Sequence, residues 1–346
     1  MIAASTRSGQ PETSAVEVPR TGTWQQLLAD AVRDPVELCE LLDLDISLIA
    51  GALAATPSFA LRVPRSFIGK MRRGDPRDPL LLQVLPIAAE LRRVDGYTTD
   101  PVGDLASRAT HGVLHKYAGR ALLVATGACA VHCRYCFRRH FPYQDEAAMT
   151  HGWEAALAYV RNDPSIEEII LSGGDPLSLS DRRLQQLSDA LVSISHVRRL
   201  RIHTRYPLVL PERIDGGFRA WLRDVRLQKV VVIHANHARE LDPVSSRACH
   251  NLSDAGASVL NQSVLLAGIN DDARALADLS EALFAAGVLP YYLHVLDRVE
   301  GAAHFDVPTA TALRLHAELT ARLPGYLVPR LVREVPGAAA KTAVTG

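Results

Sequence analysis

The sequence predicts an α/β protein built as a partial (βα)6 TIM-like barrel, and three observations predict it. From Ala121 onward, β-branched or apolar runs alternate with longer amphipathic segments, the pattern of a parallel sheet with crossover helices. Six such runs occur, short of the eight that close a standard barrel, so the sheet is expected to stay open. The residues with chemical character fall at or just after the ends of these runs, where folds of this kind carry their sites.

The predicted strands are Ala121–Thr126, Glu168–Ser172, Arg199–Thr204, Lys229–Ala235, Ser258–Leu265 and Leu289–Leu296. Predicted helices follow them at His151–Arg161, Ser180–Ser195, Pro211–Val225, Val244–Ala255, Ala273–Ala286 and Thr309–Arg322. Asp181 supplies a start signal, and Gly256 and Gly287 supply stops. Residues 1–20, rich in Ser, Thr, Pro and Gly, read as a flexible leader. Residues 21–115 read as an N-terminal helical region, with Trp24–Arg33, Pro35–Leu42 and Ser66–Arg73 as its helices, covering the bottom or side of the barrel. The barrel core is expected at 116–308, and a helix with a short terminal segment at 309–346.

With 346 residues, 48% apolar content and zero formal net charge, the chain reads as a soluble globular protein able to bury a large core. No basic excess supports a surface that tracks nucleic-acid phosphates, and no apolar stretch is long enough to span a bilayer. The expected compartment is the cytoplasm, because no secretory leader is evident and only five cysteines occur.

Three of those cysteines form one tight cluster, Cys129, Cys133 and Cys136, in Gly127-Ala-Cys-Ala-Val-His-Cys-Arg-Tyr-Cys-Phe-Arg-Arg139. Three thiolates on one loop can hold three corners of a cubane iron–sulfur cluster and leave the fourth iron open for chemistry. A structural zinc would need a fourth ligand, for which His132 or His140 would have to complete a cramped tetrahedron. Cys39 and Cys249 are isolated in helical contexts and read as half-buried thiols.

A C-x3-C-x2-C loop after the first strand of a partial barrel resembles the radical S-adenosylmethionine (radical SAM) superfamily, and its surroundings resemble the lysine 2,3-aminomutase branch. The resemblance is carried by Leu171-Ser-Gly-Gly-Asp-Pro-Leu177, Arg201-Ile-His-Thr-Arg-Tyr-Pro207, Asn261-Gln-Ser-Val-Leu-Leu266, Pro290-Tyr-Tyr-Leu-His294 and Gly301-Ala-Ala-His-Phe305. Cys136-Phe-Arg-Arg-His-Phe-Pro-Tyr143, Phe59-Ala-Leu-Arg-Val-Pro-Arg-Ser-Phe67 and Leu114-His-Lys-Tyr117 are similar to the short bacterial enzymes that make β-lysine for modifying elongation factor P. Length agrees with that group, since the fermentation enzymes continue well beyond the position of Lys341.

The resemblance implies a radical SAM fold and an enzyme converting L-α-lysine to (R)-β-lysine, with a [4Fe-4S] cluster, SAM and pyridoxal 5'-phosphate as cofactors. It implies that Cys129, Cys133 and Cys136 ligate the cluster, that Gly173, Gly174, His234 and Gln262 contact SAM, and that Lys341 anchors pyridoxal phosphate in the C-terminal segment. Lys116, Tyr117 and Arg120 match positions around the cofactor phosphate, where cation and hydroxyl donors suit a dianion. Arg138 matches the arginine that holds the substrate carboxylate, and Asp297 and Glu334 match the two acids that receive its side-chain ammonium. Glu334 departs from the family's aspartate by one methylene, and Gly337-Ala-Ala-Ala340 departs from its glycine run before the anchor lysine. The implied partners are L-lysine, an electron donor and a separate elongation factor P ligase. Two alternatives stand beside this reading: a mutase acting on free lysine or glutamate in catabolism, and a noncatalytic iron–sulfur binding partner of the elongation factor P pathway.

Overall fold

Ten strands pair in chain order into one sheet: β1 (Arg108–Thr110), β2 (Val113–Tyr117), β3 (Arg120–Thr126), β4 (Glu168–Gly173), β5 (Arg199–Thr204), β6 (Gln228–Ile233), β7 (Ala257–Val264), β8 (Leu289–His294), β9 (Arg330–Arg333) and β10 (Thr342–Ala343). The structure is a computed structural model and describes residues 21–146 and 153–346. The expected leader, residues 1–20, lies outside the described residues, as does the start of the expected helix His151–Arg161. Strands β3 to β9 run parallel, while β1 and β2 precede them as an antiparallel meander and β10 returns antiparallel on β9. The order does not close on itself, so the sheet is an open barrel, as the count of βα units predicted.

The six predicted strands appear as β3 to β8, each within two residues of its expected bounds. Crossover helices occupy Glu154–Asn162, Asp181–Val192, Gly216–Asp224, Pro243–Asp254 and Ala273–Ala285, and Thr309–Arg322 follows β8. The sequence starts most of these helices where it supplies a capping oxygen: Ser180, Asp215, Asp242 and Asp272 each accept from backbone N–H groups of the first turn. The expected helix Pro211–Val225 divides into a 3-10 turn at Pro211–Arg213 and a helix from Gly216, because Asp215 caps a fresh start there.

Strand alternation decides what the barrel encloses. In β5, Leu200 and Ile202 are buried against the helices, whereas Arg201 and His203 face the barrel cavity. In β4, Ile169 and Leu171 pack outward in the same way, and Ile170 and Ser172 line the cavity. A period of two therefore gives an apolar outer face and a largely polar inner one. Cys39 and Cys249 prove fully buried in the outer core rather than half-buried.

The N-terminal region differs from expectation in position and in content. Helices occur at Trp24–Ala29, Pro35–Leu41 and Ser47–Ala55, with a single turn at Arg65–Ile68 in place of the expected Ser66–Arg73. Residues 69–107 are largely turns, and β1 and β2 join the barrel sheet, so a division at 116 cuts through a strand. Of the expected bottom or side, the region takes the side, with Trp24 packed on Tyr206 and Arg213, and it reaches toward the carboxyl end of the barrel. Its backbone and side chains meet the loops at the carboxyl ends of the strands, where Arg62 O accepts from His132 N (3.0 Å) and Gln83 O accepts from Arg134 N (2.9 Å). The physical reason is polar satisfaction: those loops bury donors that need partners the strands cannot supply.

Candidate active site

All residues singled out from the sequence line one cavity of about 500 Å³ inside the open barrel. Lys116, Tyr117 and Arg120 lie where β2 turns into β3, and the three cysteines follow the carboxyl end of β3. His234 follows β6, Gln262 lies on β7, Asp297 lies beyond β8, and Glu334 and Lys341 flank the turn between β9 and β10. The site thus runs from the carboxyl mouth down the inner face to the start of β3, deeper than a mouth alone.

The cysteine loop is held from both sides. Arg134 is fully buried and donates through Nε to Glu90 (2.9 Å) and through Nη1 to Phe59 O (2.8 Å), while Arg139 Nη2 donates to the same Glu90 (2.8 Å). From the barrel side, Gly174 N donates to Thr126 O (2.7 Å) and Asp175 N to Ala128 O (2.8 Å). A Cβ at Gly174 would stand 2.5 Å from Ala128 O, and one at Gly173 would stand 2.8 Å from Val124 Cγ1. These glycines are therefore required by the contact between the end of β4 and the cysteine loop itself.

The donor set fits an iron–sulfur cluster better than a single ion. Burial pushes the Cys136 thiol up to about 11 and the Cys129 thiol well above its ordinary range, so positive metal centres would be needed to hold them as thiolates. Among the described residues no three ligating side chains converge closely enough to hold one metal ion. Each of the two histidines that could supply a zinc tetrahedron's fourth ligand has one ring nitrogen engaged elsewhere: His132 Nδ1 contacts Ala60 O (2.8 Å) and His140 Nε2 contacts Glu300 O (3.2 Å).

Four polar atoms of the cavity wall are buried without partners: Nε2 of His203, His234 and His294, and Nε2 of Gln262. Burial pushes His234 down to about 4 and lowers the His203 and His294 imidazoles well below their ordinary range, which favours the neutral ring in all three. Unpaired buried polar groups are costly, and four facing one cavity fit a polar ligand that completes them. His294 was given no role from the sequence, and His203 was read only as part of the His-Thr-Arg end of its strand. Both lie in motifs that were singled out, and inward alternation with Arg201 and with Tyr292 would have marked them.

The charged end of the cavity is a network. Arg138 donates through Nε to Asp104 (2.6 Å) and through Nη1 to Ser172 Oγ (3.1 Å). Burial opposes the Arg138 charge, and the Asp104 carboxylate outweighs it. Lys116 Nζ lies 2.7 Å from the other Asp104 oxygen and 3.7 Å from Glu334. Burial alone would raise Asp104, but Arg138 and Lys116 together hold it below the usual carboxylate range. Lys341 donates to Glu334 (2.8 Å), and Tyr117 OH donates to the other Glu334 oxygen. Burial likewise works to raise Glu334, and Lys341 outweighs it and holds the carboxyl low. Asp297 has no such compensation: burial pushes it up to about 7, with Lys341 opposing and Glu334 adding to the rise. Arg120 lies 4.7 Å over the Tyr117 ring. Asp104 gave no sequence signal, since it sits in an irregular segment far from every motif.

Lys341 is set by a short hairpin. Thr342 pairs with Arg333 and Ala343 with Val332, so the lysine is fixed at the start of an edge strand although its preceding run is alanine rather than glycine.

Residues 118–203 match the family model described as a 4Fe-4S single cluster domain. The chain is 48% identical to the L-lysine 2,3-aminomutase of Escherichia coli, over 94% of this chain and 96% of that protein. It is 32% identical to the L-lysine 2,3-aminomutase of Clostridium subterminale, over 93% of this chain and 77% of that protein. Among solved structures, a radical SAM methyltransferase from Sphaerobacter thermophilus aligns with a TM-score of 0.41 at 20% identity, over 64% of this chain and 68% of that one. Identity of this extent over nearly the whole chain shows that the chain belongs to the L-lysine 2,3-aminomutase family.

Proposed function

We propose that this protein is a radical SAM, pyridoxal phosphate-dependent L-lysine 2,3-aminomutase, an isomerase that converts L-α-lysine to β-lysine. The observation that carries the reading is that the three-cysteine loop and Lys341 line the same cavity as an arginine at one place and two acids at another. The cluster with SAM supplies radical initiation when bound, and pyridoxal phosphate carries the migrating nitrogen. Everything else is work for side chains.

Cys129, Cys133 and Cys136, which line the cavity, would hold the cluster as its three protein ligands. His234 and Gln262 offer their unpartnered nitrogens to the SAM side, and the strand-end backbone at Gly173 and Gly174 forms the adjoining wall. Lys341 would anchor pyridoxal phosphate, and Lys116, Tyr117 and Arg120, which line the same cavity, would supply donors to its phosphate. Arg138 keeps donors beyond the two spent on Asp104 and Ser172, and these take the substrate carboxylate. Glu334 and Asp297 take the distal ammonium. Glu334 accepts from the Lys341 ammonium at 2.8 Å, which supports its ability to receive an ammonium.

Two acids at this end favour a diamine over glutamate, whose distal carboxylate would meet like charge. We further propose the (R) product, the cytoplasm as the compartment, an external one-electron donor, and use of the product by a separate ligase acting on elongation factor P. These rest on the sequence motifs. Anaerobic assay of the reconstituted protein with L-lysine and L-glutamate offered separately, with chiral separation of products, tests the reading. β-Lysine from lysine alone is expected, and its handedness separates the translation-factor role from the catabolic one. SAM cleavage with neither substrate rearranged would overturn the substrate assignment and leave the cluster standing. Asp297→Ala is expected to raise the Michaelis constant for lysine by at least tenfold; an unchanged value would sink the role of the acid pair.

A further inference from the structure

Arg205 ends the His-Thr-Arg motif at the carboxyl end of β5, and none of the roles above uses it. Its residue surface is 6% exposed, and its guanidinium donates in several directions at once. Nη1 points to Cys133 Sγ at 2.9 Å, Nη2 to Glu240 Oε2 at 2.9 Å and also to Gln83 Oε1, and Nε to His234 O at 3.2 Å. Its backbone N–H is fixed by Asp175 (2.7 Å). Glu240 is itself fully buried and held by Asn236 N (2.8 Å) and Gln83 Nε2 (3.1 Å). The fork is therefore locked by Gln83 and by the loop after β6, with one N–H left aimed at a cysteine sulfur.

We infer that Arg205 sets the reduction potential of the cluster held by Cys133, by donating a charge-assisted hydrogen bond to that sulfur. The inference rests on the cluster reading above. Reduction adds one negative charge to the cluster, and an N–H donor to a ligating sulfur stabilises the more negative state. Glu240 neutralises the guanidinium at longer range, so the directed N–H and not the bare charge is the operative feature. The chain would thereby make its buried cluster easier to reduce, a requirement for passing an electron to a ligand on its open iron.

The test uses the anaerobically reconstituted full chain, with iron and sulfide content measured beside a redox titration followed by electron paramagnetic resonance. Arg205→Gln at full iron content is expected to lower the ratio of reduced to oxidised cluster about tenfold at a fixed poise, which is about 59 mV for one electron. Arg205→Lys, keeping charge without the fork, is expected to fall between the two. A ratio within twofold of wild type in a fully loaded Arg205→Gln would overturn the inference. Because that variant can fail to assemble, wild type carrying arginine labelled with 15N in the guanidino group alone provides a second reading. The reduced cluster is expected to show a 15N hyperfine coupling, and absence of any coupling overturns the inference whatever the variants do. Wild type that takes up no cluster would overturn the parent reading instead, a result the iron analysis separates.

Discussion

At the residue scale, Asp297 is the least settled charge in the cavity. Its carboxyl is pushed up to about 7 by burial, while its partner Glu334 is held low by Lys341. A protonated Asp297 cannot pair with an ammonium, so the Michaelis constant for lysine is expected to rise as pH falls below about 7, measured by anaerobic steady-state assay from pH 6 to 9. Stability moves the other way. An acid whose folded pKa lies above its unfolded value binds more protons when folded, so its contribution is lost as pH rises from about 4 to 7. Asp297→Asn removes that loss and is expected to raise the apoprotein melting temperature at pH 8 by roughly 1–3 °C, with no gain at pH 4. A pH-independent difference would show that the carboxyl is solvated.

At the element scale, the joint between the end of β4 and the cysteine loop controls whether the loop can present its thiols. The Cβ of Gly174→Ala would stand 2.5 Å from a backbone oxygen, which no side-chain rotation relieves. We expect this variant to fold with reduced stability, about 1–3 kcal/mol by urea denaturation, and to retain less than half the iron of wild type after reconstitution. Full iron at unchanged stability would show that the loop yields without cost. The helices between the strands were legible for a local reason: a capping Ser or Asp, an apolar stripe and a glycine stop lie within a few residues of one another. The split at Asp215 was not, because a capping residue inside an apparently continuous helical pattern reads as ordinary surface polarity until the backbone is seen to break.

At the scale of the whole molecule, two long-range devices complete an open barrel. The first is the N-terminal region wrapped over the strand-end loops. Glu90→Ala would leave the buried guanidiniums of Arg134 and Arg139 without their shared carboxylate, at an expected cost of about 3–5 kcal/mol in global unfolding. Iron uptake should fall in parallel, since Arg134 lies within the cysteine loop; normal uptake with lowered stability would separate the two roles. The second device bridges the seam of the sheet, where Tyr117 at the end of β2 meets Glu334 after β9, 217 residues away. The sequence by itself determined the six central strands β3 to β8, their parallel order and the cysteine cluster, because each is written in local periodicity or in a short motif, whereas β1, β2, β9 and β10 were not legible there. Only the tertiary structure decided that Asp104 joins Arg138 to Lys116, that His203 and His294 turn unpartnered nitrogens into the cavity, that Arg205 reaches Cys133, and that the N-terminal region sits at the mouth. Those are pairings between segments far apart in the chain, and a buried donor carries no mark in its own neighbourhood of which distant acceptor will satisfy it.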